Sequence, residues 1–121
     1  MAETKMKTFT GGCHCGLVRY ECTEDLGMVT DCNCSICTKK GLHITFVSPT
    51  SFSLRAGADS LKEYKFNRNV VSHQFCTECG VQPFAHGAMP DGKKVVAVNI
   101  ATLDGIDLSK IAMTPFDGKN M

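Results

Sequence analysis

The chain has 121 residues, the length of one domain, and its 43% hydrophobic content is typical of a soluble globular protein. Its 13 lysines and arginines against 12 acidic residues give a formal charge of +1, so no net charge favours nucleic acid or anionic lipid as a partner. The N-terminal segment MAETKMKTFTGG contains no apolar signal segment, and the apolar run 95–98 is far too short to span a bilayer. We therefore expect a cytoplasmic protein with no membrane partner.

Short strands separated by turn residues dominate the sequence pattern. In residues 17–22, Val18, Tyr20 and Cys22 alternate with charged side chains, which is the period-two pattern of a half-buried strand. We therefore expect Cys22 to be a thiol of the core. Similar runs bounded by Gly, Pro, Asp or Asn follow at 43–47, 51–54, 61–66, 70–75, 82–85 and 95–100. The last run has apolar side chains on both faces, so we expect both faces to be covered.

Helical signals are limited to a turn after Cys34 and another near Ser109, each too short to be stable without tertiary contacts. Residues 1–7 are polar and are expected to be frayed, and the tail 115–120 carries turn residues rather than a periodic pattern. The sequence therefore predicts a single all-β domain over residues 8–121.

Seven of the eight cysteines lie in three clusters: Cys13-His14-Cys15, Cys32-Asn33-Cys34-Ser35-Ile36-Cys37 and Cys76-Thr77-Glu78-Cys79-Gly80. In a reducing cytosol such C-x-C and C-x-x-C spacings are typical of zinc ligands rather than of disulfides. Structural zinc takes four protein ligands, whereas catalytic zinc takes three and keeps one position for water or substrate. Seven clustered thiols therefore divide into one closed site and one open site.

The first and last clusters are expected to share the closed site. The two-residue gap between Cys76 and Cys79 brings both sulfurs to one ion, and Gly80 permits the tight turn behind them. On an extended backbone Cys13 and Cys15 point to the same side, because they are separated by one residue. These four cysteines form the predicted structural zinc site.

The middle cluster can bind a second ion by itself, since the sulfurs of Cys32, Cys34 and Cys37 lie within six residues of sequence. Three thiolates and one zinc dication sum to a single negative charge, which favours activation of a soft sulfur nucleophile over generation of hydroxide. Asp31 and Ser35 flank the cluster, where they either hydrogen-bond sulfur or cap the turn.

A closed second site is the alternative, with Cys22 or a histidine as fourth ligand, and both zinc ions would then be structural. His14 lies between two ligands and is expected to point outward. The other histidines lie in strand-like segments, where a core or surface role is favoured over catalysis: His43, His73 and His86.

The segments GGCHCGLVRYE, DCNCSICTKKG and FCTECGVQPF resemble, in order and spacing from Gly11 to Phe84, the signature blocks of the glutathione-dependent formaldehyde-activating enzyme family. Within that family, CNCSICTKKG, EYKFN, FCTECGVQPF and the tail FDGKN are more similar to the centromere protein V branch. The resemblance implies a mainly β, Mss4-like fold of small antiparallel sheets with two Zn²⁺ per chain. It assigns Cys13, Cys15, Cys76 and Cys79 to a structural ion and Cys32, Cys34 and Cys37 to a catalytic-type ion.

The family name implies the joining of formaldehyde to glutathione as S-hydroxymethylglutathione, formally a carbon–sulfur lyase reaction in the synthetic direction. The leading hypothesis is therefore an enzyme whose second zinc binds glutathione as a thiolate. Lys39 or Lys40 could hold a carboxylate of that ligand, although a solvated turn is an equal expectation. The rival hypotheses are a thiol carrier without catalysis and an interaction module in which zinc only stabilises the fold. We expect no nucleic-acid partner, and no oligomeric state is predicted.

Overall fold

A computed structural model gives the structure of the protein and describes residues 7–24, 29–32, 35–65, 71–88 and 91–116, with the backbone alone for Cys32, Ser35 and Phe116. The strands in these ranges are β1 Lys7–Gly12, β2 Arg19–Glu24, β3 Thr30–Cys32, β4 His43–Val47, β5 Phe52–Ala56, β6 Leu61–Tyr64, β7 Ser72–Cys76, β8 Phe84–Ala88, β9 Lys94–Asn99 and β10 Thr114–Phe116. The prediction of a mainly β protein is confirmed.

Helix is confined to short pieces, as predicted. The one α-helix in the described ranges, α1 at Ser35–Lys40, begins directly after Cys34. Short 3-10 helices lie at Pro49–Ser51, Ala58–Ser60, Ile100–Thr102 and Leu108–Lys110, and the last of these contains Ser109. No helix within the described ranges has the length and apolar character needed to cross a membrane.

The strands form two sheets. One has the order β1-β2-β5, and the other has the order β10-β3-β4-β9-β8-β7-β6. Adjacent strands are antiparallel except for β10 and β3, which run parallel. Residues 33–113 separate β3 from β10 in the sequence, which is far more than the crossover of about a dozen residues that parallel neighbours need.

The main core lies between the two sheets. Tyr20 stacks on Phe52 with ring centroids 5.3 Å apart, and Phe52 contacts Phe84 at 4.7 Å. Val96 and Val98 of β9 belong to this core, and we call their side of the seven-stranded sheet the core face. As predicted, the alternation in β2 buries its apolar side chains, which include Tyr20.

Helix α1 covers the opposite side of the seven-stranded sheet, which we call the α1 face. Ile36 and Cys37 of the helix pack with Leu42 and Ile44 in a second apolar cluster, and Ala97 of β9 lies against it. The prediction that both faces of β9 are covered is therefore confirmed.

Strand β1 was not predicted, because its two terminal glycines are typical of a turn. A Cβ atom on Gly12 would lie 2.0 Å from the carbonyl oxygen of Val18, and one on Gly11 would lie 2.6 Å from the Tyr20 hydroxyl. Glycine is therefore required for β1 to approach β2. The strand begins at Lys7, so this residue is paired with Glu24 rather than frayed.

Strand β8 begins two residues later than predicted. The backbone N–H of Asn99 donates to the carbonyl of Pro83 at 2.9 Å, and its side-chain amide donates to the carbonyl of Gln82 at 3.0 Å. These bonds hold the Gln82–Pro83 segment outside the regular ladder. In the tail, Thr114–Phe116 forms β10, where turn residues were expected.

Candidate metal centre and a polar network beside α1

Four cysteine sulfurs from two distant parts of the chain meet at one place, and we call them the four-cysteine cage: Cys13, Cys15, Cys76 and Cys79. Their Sγ atoms all lie within 4.8 Å of one another. The Cys13–Cys15 and Cys15–Cys76 sulfur distances are 3.5 and 3.6 Å. A tetrahedral zinc with Zn–S bonds of about 2.3 Å separates its sulfurs by about 3.8 Å. The cage therefore has the size and ligand number that a metal ion such as zinc requires, and none of its cysteines forms a disulfide.

Two turns of similar design build the cage. Each is closed by a hydrogen bond from the N–H of its first cysteine to the carbonyl five residues later, Cys13 to Val18 at 3.1 Å and Cys76 to Val81 at 3.0 Å. The second turn contains Gly80 with φ of +78°, a conformation that glycine adopts without strain. The backbone of Gly80 thus shows the tight turn that the sequence predicted. His14, in the first turn, is exposed as expected.

Backbone N–H groups point at the sulfurs and favour their thiolate form. Val18 donates to Cys13 Sγ at 3.3 Å, and Glu78 donates to Cys76 Sγ at 3.4 Å. Burial opposes ionisation of Cys79, but hydrogen bonds, among them those from backbone N–H groups, lower its pKa to about 6.

The four thiols do not ionise alike. The N–H of Leu17 favours the thiolate of Cys15, yet loss of water and the neighbouring sulfurs raise the pKa of this thiol to about 12. Several thiolates at these distances repel one another, and a bound dication removes that repulsion. The donor set, its spacing and its electrostatics therefore fit a thiolate-bound metal ion.

The segment that follows β5 braces both turns. Gly57 has φ of +89°, and a Cβ atom there would lie 2.3 Å from the carbonyl oxygen of Leu17 in the first turn. The carbonyl of Ser60 accepts a hydrogen bond at 2.8 Å from the N–H of Thr77 in the second turn. One short stretch of chain thus fixes the two halves of the cage relative to each other.

We expect Gly57→Ala to lower the free energy of unfolding by about 2–4 kcal/mol, because the new methyl group collides with backbone and the residue keeps a positive φ. Urea titration of the zinc-loaded protein measures this loss. Gly92→Ala is the matched control, since Gly92 has φ of +88° but no atom within 4 Å of its Cβ position. Equal losses in the two variants would contradict a bracing contact at Gly57.

The structure describes only part of the middle cysteine cluster. Cys37 is buried on the α1 face, and Cys32 is the last residue of β3. Cys34 lies outside the described residues, as do Asn33 and the side chains of Cys32 and Ser35. The three-sulfur site therefore stays a prediction from sequence spacing.

Cys22 is ruled out as the fourth ligand of an ion on Cys37. Cys22 packs in the main core with Val98, whereas Cys37 packs on the α1 face near Ala97, so the seven-stranded sheet separates the two thiols. Burial raises the pKa of Cys22 to about 11, as expected for a core thiol.

The histidines differ in their surroundings. His86 is exposed, with its ring 5.2 Å from Phe84, and His73 is buried. His43 is partly buried, and its Nδ1 lies 4.0 Å from an Asp31 carboxylate oxygen. That nitrogen has no hydrogen-bond partner among the described residues.

A polar network that the sequence did not reveal lies beside α1. Lys40 Nζ donates to Gln82 Oε1 at 2.7 Å, and Gln82 Nε2 lies 3.1 Å from His73 Nδ1. The ammonium group is also 5.3 Å from the ring centroid of Phe75. Lys40 is exposed, as expected for a solvated lysine, but Gln82 and Phe75 hold its charged group against the sheet.

Lys40 fixes the proton position on His73. An ammonium group only donates, so Gln82 must turn its oxygen to Lys40 and its NH₂ to His73. Nδ1 of His73 is then an acceptor, and the ring proton resides on Nε2. Burial, followed by the charge of Lys40, lowers the pKa of His73, so the ring is neutral at neutral pH.

We expect Lys40→Gln to raise the pKa of His73, because it removes a nearby positive charge. In the wild-type protein the folded-state pKa lies below the ordinary value of about 6.5. Stability from the neutral ring is thus present above about pH 6.5 and is lost as the pH falls through the lower folded-state pKa. NMR titration of the imidazole measures the shift, with Lys39→Gln as a control on the same helix. An unchanged pKa in Lys40→Gln would contradict the network.

The fold and the cage define a class of small β proteins in which two cysteine turns from distant strands meet at one metal-type site. The family described as "Glutathione-dependent formaldehyde-activating enzyme" matches residues 8–116, and the chain belongs to this family. A crystal structure of a Rhodobacter sphaeroides protein is similar, with a TM-score of 0.78 and 26% identity over 88% of this chain and 97% of that one. The resemblance to this family and the expected mainly β, Mss4-like fold are confirmed. The likeness to the centromere protein V branch stays a prediction.

Proposed function

We propose that the protein is a zinc-dependent enzyme that forms S-hydroxymethylglutathione from glutathione and formaldehyde. The observation that carries this proposal is that the four-cysteine cage is complete without the middle cluster. Four thiols meet the full requirement of one structural zinc, so Cys32, Cys34 and Cys37 are left for a second ion. The family to which the chain belongs supports glutathione and formaldehyde as the reactants.

The two ions would have different tasks. The cage joins the β1–β2 connection to the end of β7, so an ion there stabilises the fold. Zinc held by Cys32, Cys34 and Cys37 would supply a cation that favours the thiolate form of a thiol ligand. The sulfur of glutathione then forms a bond to the carbon of formaldehyde, the π electrons move to oxygen, and that oxygen takes up the proton that the thiol released. Because both sites need reduced thiols, we place the protein in the cytoplasm.

Calorimetric titration of the zinc-loaded protein with glutathione and with S-methylglutathione tests the first half of the proposal. S-methylglutathione keeps the peptide but supplies no thiolate, so we expect strong binding by glutathione alone. Equal binding of the two compounds, or binding of neither, would contradict a metal-bound thiolate.

Rates of exchange between formaldehyde and its glutathione adduct test the second half. Thiols add to formaldehyde without a catalyst, so the rate per free reactant must be compared with and without protein by NMR. An enzyme raises this rate, whereas a carrier leaves it unchanged. Acceleration that depends on the zinc content is the expected result.

A further inference from the structure

Uncharged neighbours hold the ammonium group of Lys40 in place, and no described carboxylate forms an ion pair with it. Its two neighbours are the amide oxygen of Gln82 at 2.7 Å and the ring of Phe75 at 5.3 Å, and both are uncharged. The ion pairs found within the described part of the chain involve other residues: Arg19–Asp104, His43–Asp31, Arg55–Glu21 and Lys65–Glu63. No carboxylate in those ranges pairs with Lys40.

Lys40 is exposed, so a ligand can reach its ammonium group. A cation that loses part of its water shell is normally compensated by an anion, and burial lowers the pKa of Lys40 in line with incomplete compensation. A lysine at the exposed end of a short helix is free to extend into solvent, as its stem is flexible. Instead its charge is held against β7 and the segment before β8. One ammonium carries three N–H donors, so donors remain for a ligand besides Gln82.

The position of Lys40 relates it to the middle cysteine cluster. Lys40 follows Cys37 by three residues in α1, and side chains at this spacing are neighbours with Cβ atoms about 5–6 Å apart. Consider a ligand whose sulfur lies at the middle cluster. A carboxylate of that ligand, a few bonds from the sulfur, can therefore reach the ammonium group of Lys40.

We propose that Lys40 binds a carboxylate of the thiol substrate and that Gln82, with Phe75, holds the ammonium in place for it. This inference rests on the proposed function and adds a substrate class to it. Thiols that carry a carboxylate, such as peptide thiols, are the preferred substrates, and neutral thiols are poor ones. Gln82 is a positioning residue in this arrangement, because its contact is to Lys40 and His73.

Calorimetry with three ligands and three proteins tests the inference. The ligands are glutathione, S-methylglutathione, which lacks the thiol, and glutathione diethyl ester, which lacks both carboxylates. The proteins are the zinc-loaded wild type, Lys40→Gln and Lys94→Gln, where Lys94 is an exposed lysine at the start of β9. We expect the ester to bind wild type at least about tenfold more weakly than glutathione, since a charged hydrogen bond is lost.

Lys40→Gln is expected to weaken glutathione binding by a similar factor, and the variant should bind glutathione and its ester with equal affinity. Lys94→Gln should bind both ligands as the wild type does. Equal binding of the ester and glutathione to wild type would overturn the role of Lys40, and this comparison needs no variant to fold. If S-methylglutathione binds as well as glutathione and still depends on Lys40, the carboxylate site stands and the thiolate proposal fails. No binding of any ligand would overturn both.

Discussion

Replacing Cys76 by serine is expected to remove one zinc ion per chain and to leave the protein largely unfolded at room temperature. Cys76 is fully buried, and its sulfur belongs to the cage that connects the three-stranded sheet to the seven-stranded sheet. Apparent binding free energies of structural zinc are about 10–16 kcal/mol, whereas whole domains are stable by about 5–15 kcal/mol. Loss of the ion with this ligand therefore removes a free energy comparable to the whole net stability of a domain this small.

Elemental analysis measures the loss of zinc, and far-UV circular dichroism measures the loss of folded structure. His14→Ala is the matched control, because His14 is exposed between two cage cysteines and is not itself a ligand in the proposed site. It should retain both the zinc content and the spectrum of the wild type. Chelation of the wild type should reproduce the behaviour of Cys76→Ser. A folded Cys76→Ser protein with unchanged zinc content would show that the cage does not hold metal.

The sequence was sufficient to predict how the outer cysteine clusters pair, because ligand chemistry imposes its own spacing. A C-x-x-C turn cannot close a tetrahedral site alone, and the C-x-C pair was a suitable complement. The structure brings these four sulfurs together. Strand β2 was also predicted, since its buried face leaves a period-two pattern in the sequence.

Elements whose residues contradict local propensity could not be predicted. Strand β1 ends in two glycines that close packing requires, and β10 contains Pro115 at the edge of the sheet, where a missing N–H is tolerated. The network of Lys40, Gln82 and His73 left no signal either, because its members are far apart in sequence and only the fold brings them together.

Replacing Cys37 by serine should separate catalysis from folding. Cys37 lies on the α1 face, away from the cage, so Cys37→Ser is expected to keep the fold while the zinc content falls from the proposed two ions per chain to one. Without its metal the site no longer favours a bound thiolate, and the enzymatic rate of adduct formation should fall by about a hundredfold or more. Elemental analysis and the NMR exchange assay measure these two quantities on the same sample.

Cys22→Ser is the matched control for this experiment. Both thiols are buried, so both substitutions place a hydroxyl in apolar surroundings and have a similar destabilising effect, on the order of 1–3 kcal/mol. Cys22 faces the main core on the far side of the seven-stranded sheet, where it cannot reach the metal of the middle cluster. If Cys22→Ser loses activity equally, the loss in Cys37→Ser reflects stability alone. If Cys37→Ser keeps two zinc ions and the full rate, the middle cluster is not the catalytic site, because loss of a ligand must weaken the binding of its metal ion.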